Sequence, residues 1–219
     1  MADFGVLLRE HYGDRFSAEQ LQLVERFRDL VLAENEVQNL TRITEPLDFV
    51  EGHVADAVAL LDSGFLGASN LDLGSGCGVP GAVCAILAPE QQWILAESEI
   101  RKAEFLTKLQ TELDLTNCMP IHSRGEAILE EEEVDAVVAR AVGPVDRIYA
   151  WLRDCSTWNT LVLLKGPGWD EEWQKASRTF AGKELAISRK FSYTVGKTDE
   201  RRRERQIVEL NRKKKPTSR

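Results

Sequence analysis

Leu71-Asp-Leu-Gly-Ser-Gly-Cys-Gly-Val-Pro-Gly81 is the stretch of sequence on which the fold turns. A short apolar run leads directly into glycines at alternate positions, Gly74, Gly76 and Gly78. A strand ending this way turns sharply and brings its backbone close to a ligand, where any Cβ would intrude. After the first strand of an α/β unit, such a turn is a cofactor loop. Gly76-Cys-Gly-Val-Pro-Gly81 satisfies the dinucleotide pattern G-x-G-x-x-G, and Glu97, at the end of the next apolar run, suits the ribose hydroxyls of either NAD or S-adenosylmethionine. Two residues favour S-adenosylmethionine. Asp72 sets a negative charge inside the strand, where it can face a cationic aminoacyl group or orient the loop but would repel a pyrophosphate. Pro80 removes an N–H near the start of the next helix that phosphate binding would use.

Outward from the loop, short apolar runs alternate with helical patterns. Strands are expected at 70–73, 93–96, 119–122, 134–139 and 160–164, with helices at 79–88, 101–113, 144–154 and 170–180. This is an α/β fold with a mostly parallel sheet. Residues 184–193 and 206–211 have no helix between them and read as an antiparallel pair at the sheet edge. Upstream, Ser17 and Gln20 form a capping box that opens a helix over 17–37, and a second helix runs from about 48 to 61 and ends before Gly64. The expected division is an N-terminal helical extension over 1–66, a core over 67–212 and a basic tail over 213–219.

The 219 residues are 43% hydrophobic, enough to bury a core without disulfides. No run of about 18 apolar residues is present to span a bilayer. The first residues carry Asp3 and Glu10 beside a short apolar run, unlike a signal peptide, so a cytoplasmic location is expected. Cys77, Cys84, Cys118 and Cys155 make no Cys-x-x-Cys pair, and no metal site is expected. His53 and Asp56, at i and i+3, read as structural hydrogen-bonding groups rather than metal ligands. The net charge of −8 is uneven: nine basic and two acidic residues follow position 200, giving +7 there and −15 over residues 1–200. An acidic body argues against bulk nucleic-acid affinity, while the basic end argues for a local polyanion contact.

Six blocks in order sharpen the reading: Asn39-Leu-Thr41, His53-x-x-Asp56, the Asp72 to Gly81 loop, Ser123-Arg-x-Glu126, Ala139-Arg-Ala141 and Leu164-Lys-Gly166. Together they resemble the GidB (RsmG) family of 16S ribosomal RNA 7-methylguanosine methyltransferases. The resemblance spans about residues 20 to 212 and implies a class I methyltransferase (Rossmann-like) fold with S-adenosylmethionine as cofactor. It implies cofactor contacts at Gly74, Val79, Gly125, Glu126 and Arg140, beside Asp72, Gly76, Gly78 and the ribose-binding Glu97. Residue 125 is glycine where the family usually has a bulkier residue, so it can contribute only backbone.

The implied nucleophile, guanine N7, has a free lone pair and no proton, so no catalytic dyad is expected and positioning should dominate. Arg140 and Lys165, at the ends of the fourth and fifth strands, are candidates to hold phosphate or guanine O6. Arg201 to Arg205 is expected as the turn before the last strand, with Arg201 and Arg203 meeting phosphates. Glu130 to Glu133 should be a solvated loop, and Trp151, Trp158, Trp169 and Trp173 should pack in the core or be partly buried rather than stack on bases. The expected partner of a monomeric chain is 16S ribosomal RNA or the small ribosomal subunit, with no membrane. The alternatives are an NAD-dependent oxidoreductase and an RNA-binding or ribosome-binding protein without turnover.

Overall fold

The computed structural model describes residues 3–196, 198 and 200–213. The tail beyond Lys213, and with it most of the expected segment 213–219, lies outside the described residues.

The capping box forms as its residues dictate: Gln20 N donates to Ser17 Oγ at 3.1 Å and Ser17 N to Gln20 Oε1 at 3.0 Å, which opens α2 (Ala18–Asn35). Gln20 then donates through Nε2 to Leu87 O at 2.9 Å, fastening the start of α2 to the sheet layer. A helix the sequence reading omitted precedes it. In α1 (Phe4–Tyr12), Asp3 caps Val6 N, and Phe4, Leu7 and Leu8 are buried at i, i+3 and i+4. The second expected helix is three segments in line: α3 (Pro46–Phe49), a π-helical turn (Val50–Val54) and α4 (Ala55–Ser63), closed by Gly64 at φ +64°.

The remaining elements alternate: β1 (Ser69–Leu73), α5 (Gly81–Leu87), β2 (Gln92–Glu97), α6 (Ile100–Glu112), β3 (Cys118–His122), α7 (Gly125–Ile128), β4 (Val134–Arg140), α8 (Val145–Leu152) and β5 (Trp158–Lys165). The chain continues through α9 (Trp169–Ala176), α10 (Phe180–Glu184), β6 (Leu185–Val195) and β7 (Arg203–Arg212). The sheet order is β3-β2-β1-β4-β5-β7-β6, with β1 to β5 parallel and β7 antiparallel to both β5 and β6. The strand order reverses between β1 and β4, which puts the topological switch point at the end of the glycine-bearing strand.

Both sheet faces are covered. Leu95, Val138, Val162 and Ile207 pack with α1 to α6, while Leu71, Val137, Leu161 and Leu163 pack with α7 to α10. Trp158 and Trp169 are buried, Trp173 stacks on Trp169, and Trp151 is half-buried. Glu130 to Glu133 are exposed, as expected of a solvated loop.

Two expectations need correction. The helix expected over 170–180 is interrupted, because Ser177 and Thr179 turn their hydroxyls onto the carbonyls of Gln174 and Ala176 and Thr179 becomes extended. The turn expected over Arg201 to Arg205 is shorter than that. Arg203 and Arg205 are strand residues paired with Val195 and Tyr193, because β6 and β7 extend beyond the apolar stretches that mark them in the sequence.

Candidate active site

At the carboxyl end of β1 the chain turns through positive φ at Gly74 (+70°), Gly76 (+56°) and Gly78 (+89°). Gly74 N and Ser75 N both donate to Ala96 O of β2, at 2.9 and 3.1 Å. Glu97, 7% exposed, closes the turn from β2: it accepts from Gly76 N at 3.0 Å and from Glu99 N at 2.9 Å. Asp72 accepts from Gly81 N, the first residue of α5, at 2.9 Å. Burial pushes the Asp72 carboxyl up to about 6, and the Gly81 N–H opposes that rise. The carboxylate thus occupies the helix start at which a dinucleotide fold would hold its pyrophosphate. Asp72 is therefore the loop-orienting group, one of the two roles its position suggested.

Beside this turn lies a cavity of ≈ 360 Å³ whose lining includes Gly74, Ser98, Ser123, Gly125, Glu126 and Trp151. A Cβ on Gly125 would meet Leu73 Cδ1, the end of a flexible side chain, so a larger residue here asks Leu73 to shift. Cys77, within the loop, is buried, and burial pushes its thiol up.

Arg140 closes the other side. Its Nε donates to Val79 O at 3.2 Å, and its Nη1 reaches His53 Nδ1 at 3.0 Å and Asp56 Oδ2 at 3.2 Å. Burial, with the charges of Arg140 and Arg205, pushes His53 down to about 3. Neutral His53 therefore accepts from Arg140 and donates through Nε2 to Thr41 Oγ1, 2.9 Å away. Asp56 Oδ1 accepts from Tyr193 Oη at 2.7 Å and from Arg205. Burial, and then the Asp56 carboxylate, hold the Tyr193 phenol well above its usual range. One carboxylate thereby joins α4, β4, β6 and β7. His53 and Asp56 share a face as expected, but their convergence on Arg140 and the part of Tyr193 carry no sequence signal: Tyr193 looks like any alternating strand residue.

The other candidates are held differently. Lys165, its side chain 11% exposed, donates to Gly143 O at 2.9 Å and Glu172 Oε1 at 2.8 Å, and Glu172 also accepts from Val145 N. It braces the loop after β4 against α9. Arg201 is paired with Asp48 and with Glu51, the latter at 3.0 Å. Arg203 donates to Glu200 O and Arg202 O. Arg201, Arg203 and Arg205 come together, with Arg42, around a second cavity of ≈ 310 Å³. Arg140 and Lys165 are not part of its lining. Among the described residues, no three His, Cys, Asp or Glu side chains gather as a metal set, and no helix is long and apolar enough to cross a membrane.

The profile of one protein family, GidB, described as rRNA small subunit methyltransferase G, matches residues 20–203. The chain belongs to this family. Relatives named ribosomal RNA small subunit methyltransferase G include one from Pseudomonas paraeruginosa, 33% identical over 164 residues, covering 74% of this chain and 77% of the relative. Another, from Rhodopirellula baltica, is 37% identical over 164 residues, covering 74% and 70%. A third, from Carboxydothermus hydrogenoformans, is 32% identical over 188 residues, covering 83% and 79%. Among solved structures, a SAM-dependent methyltransferase from Aquifex aeolicus matches with a TM-score of 0.52 at 14% identity, over 74% of this chain and 92% of that one. M. capricolum TrmK, solved with S-adenosyl-homocysteine, matches with a TM-score of 0.51 at 12% identity, over 72% and 68%. At such identities the structures speak for the class I methyltransferase fold alone.

The residues present fit S-adenosylmethionine, the cofactor of the family. Three positive-φ glycines leave the turn open to close approach, Gly125 offers bare backbone to the cavity, and a carboxylate stands at the end of β2 beside it.

Proposed function

We propose that this chain, acting as a cytoplasmic monomer, transfers a methyl group from S-adenosylmethionine to N7 of one guanine in 16S ribosomal RNA of the small subunit. The observation that carries the reading is the arrangement at the switch point: a cavity bordered by Gly74 and Gly125, beside a glycine turn held by Glu97 at Gly76 and by Arg140 at the Val79 carbonyl. When bound, the cofactor supplies a sulfonium-activated methyl group. Gly74, Gly76, Gly78 and Val79 would meet it with backbone, Glu97 would take the ribose hydroxyls, and Gly125 and Glu126 would border the adenine.

Guanine N7 attacks with a lone pair already free, so the chain's task is alignment. His53, neutral and fully engaged with Arg140 and Thr41, acts as a brace rather than as a base. Arg140 positions the glycine loop through Val79 O. Lys165 keeps the β4 and β5 loops in register. Arg201 and Arg203 supply RNA contacts at the rim.

The dinucleotide alternative is disfavoured because Asp72 already occupies the start of α5. The test is to map N7-methylguanine in 16S ribosomal RNA from cells with and without the gene. One modified guanine should disappear with the gene and return with the wild-type copy. An unchanged map would overturn the assignment, and a protein that binds small subunits without altering the map would be a binding protein.

A further inference from the structure

We propose that the ≈ 310 Å³ cavity between the N-terminal helices and the β6–β7 hairpin is a phosphate subsite that receives a backbone phosphate of the RNA substrate. The inference rests on the RNA methyltransferase reading above and adds a site to it.

Four guanidinium groups border the cavity, from Arg42, Arg201, Arg203 and Arg205, against two carboxylates, Asp48 and Glu51. They divide into two kinds. Arg201 bonds Asp48 and Glu51, and Arg205 bonds Asp56 and Gly52 O, so these two form a fixed wall whose charge is largely answered from within the protein. Arg42 and Arg203 are exposed and pair with no carboxylate among the described residues. Backbone carbonyls of Glu200 and Arg202 hold Arg203 Nη1, which orients the guanidinium while leaving its other N–H groups open. Two unanswered guanidiniums over a fixed wall of paired arginines suit a phosphodiester, which arginine meets with paired N–H donors.

Location supports the same occupant. Arg205 shares Asp56 with Arg140, and Arg140 holds Val79 O of the glycine loop, so the cavity stands two side chains from the glycine turn. Residues 1–200 carry −15, which repels RNA over most of the surface and leaves binding to a local cationic point. Asp48 and Glu51 set a limit of their own: a loosely held polyanion meets their charge unless its phosphate sits between Arg42 and Arg203.

The experiment uses the full chain with Arg42→Ala, Arg203→Ala and both together, and measures equilibrium binding to a 16S ribosomal RNA fragment from 50 to 300 mM salt. The double variant should lose at least tenfold in RNA affinity at low salt, and its slope of log K against log salt should become shallower by about one, near the ~0.7 expected for each single-strand phosphate contact. S-adenosylmethionine affinity should not move. Arg42→Lys with Arg203→Lys should restore most of the slope, because lysine keeps the charge without the fork. Unchanged affinity and slope in the alanine variant, with wild-type methyl transfer intact, overturn the subsite and leave the methyltransferase reading standing. A wild type that neither binds nor methylates the RNA overturns both. Inorganic phosphate titrated against the bound fragment separates the sources of phosphate. Tight phosphate binding that RNA fails to displace would assign the cavity to a free anion and overturn the proposal.

Discussion

The molecule has two cavities of similar size and opposite construction. The one at the end of β1, ≈ 360 Å³, is lined by glycines and serines together with apolar Leu73, Val142 and Trp151; the one under the hairpin, ≈ 310 Å³, is walled by arginines and the carboxylates that hold them. The first is shaped by the absence of atoms and is damaged by adding them. The second is shaped by charge and is damaged by removing it. The chain Val79, Arg140, Asp56, Arg205 links the glycine turn beside the first cavity to an arginine that lines the second, so both lean on the same buried carboxylate.

The largest expected effect comes from adding atoms to the first cavity. Gly74→Val forces a side chain onto backbone at φ +70°, with Val142 Cγ2 3.2 Å from its Cβ, and S-adenosylmethionine affinity, read by calorimetry, should fall at least tenfold. RNA binding should change far less. Comparable losses for both ligands would mean that the two cavities are not separable.

Next is removal of charge at the boundary. Asp56→Asn leaves Arg140 and Arg205 without their common carboxylate and should cost about 3 kcal/mol in urea unfolding, the range for breaking one partner out of a buried ion pair. Because that change also frees Val79 O, S-adenosylmethionine affinity should fall with it.

A third prediction is in pH. His53 is pushed down to about 3 from 6.5, so the unfolded chain takes up a proton there that the folded one refuses. Its contribution to stability is fully present above pH 6.5 and is lost as pH falls toward 3, by up to about 1.4 kcal/mol per pH unit. Asp72, raised to about 6 from 3.8, acts in the opposite sense between those values. His53→Gln should therefore flatten or reverse the acid loss of stability measured by urea unfolding between pH 6.5 and 4. A slope identical to wild type would show that His53 is protonated in the folded state.

The smallest effect concerns Ala141, at φ +59° directly after Arg140. Ala141→Gly should relieve about 1 kcal/mol of backbone strain and raise the melting temperature slightly. A fall in stability would mean that the Cβ makes contacts worth more than the strain.

The two cavities were not equally readable from the sequence. Glycines at alternate positions after an apolar run have few other uses, so Gly74, Gly76 and Gly78 announced a turn, and Ser17 with Gln20 announced a helix start, because each works within a few residues of chain. The arginine cavity draws Arg42 from one end and Arg201, Arg203 and Arg205 from the other, and an arginine in sequence does not disclose whether a carboxylate awaits it. The same holds for Lys165, whose partner Glu172 reads as one of three acids opening a helix. In α1 the signal is local too, Asp3 followed by Phe4, Leu7 and Leu8, but so short an apolar run at the start of a chain also resembles the beginning of a leader sequence.

Asp56 meets Arg140, Tyr193 and Arg205 across 84, 137 and 149 residues of a 219-residue chain. During synthesis the amino-terminal helices therefore leave the ribosome long before the groups that neutralise their buried carboxylate. The glycine loop has its full set of anchors only once β7 is made. A chain ended early keeps the turn's own anchors, Asp72 and Glu97, but lacks the Arg205 pairing behind Asp56 and Arg140.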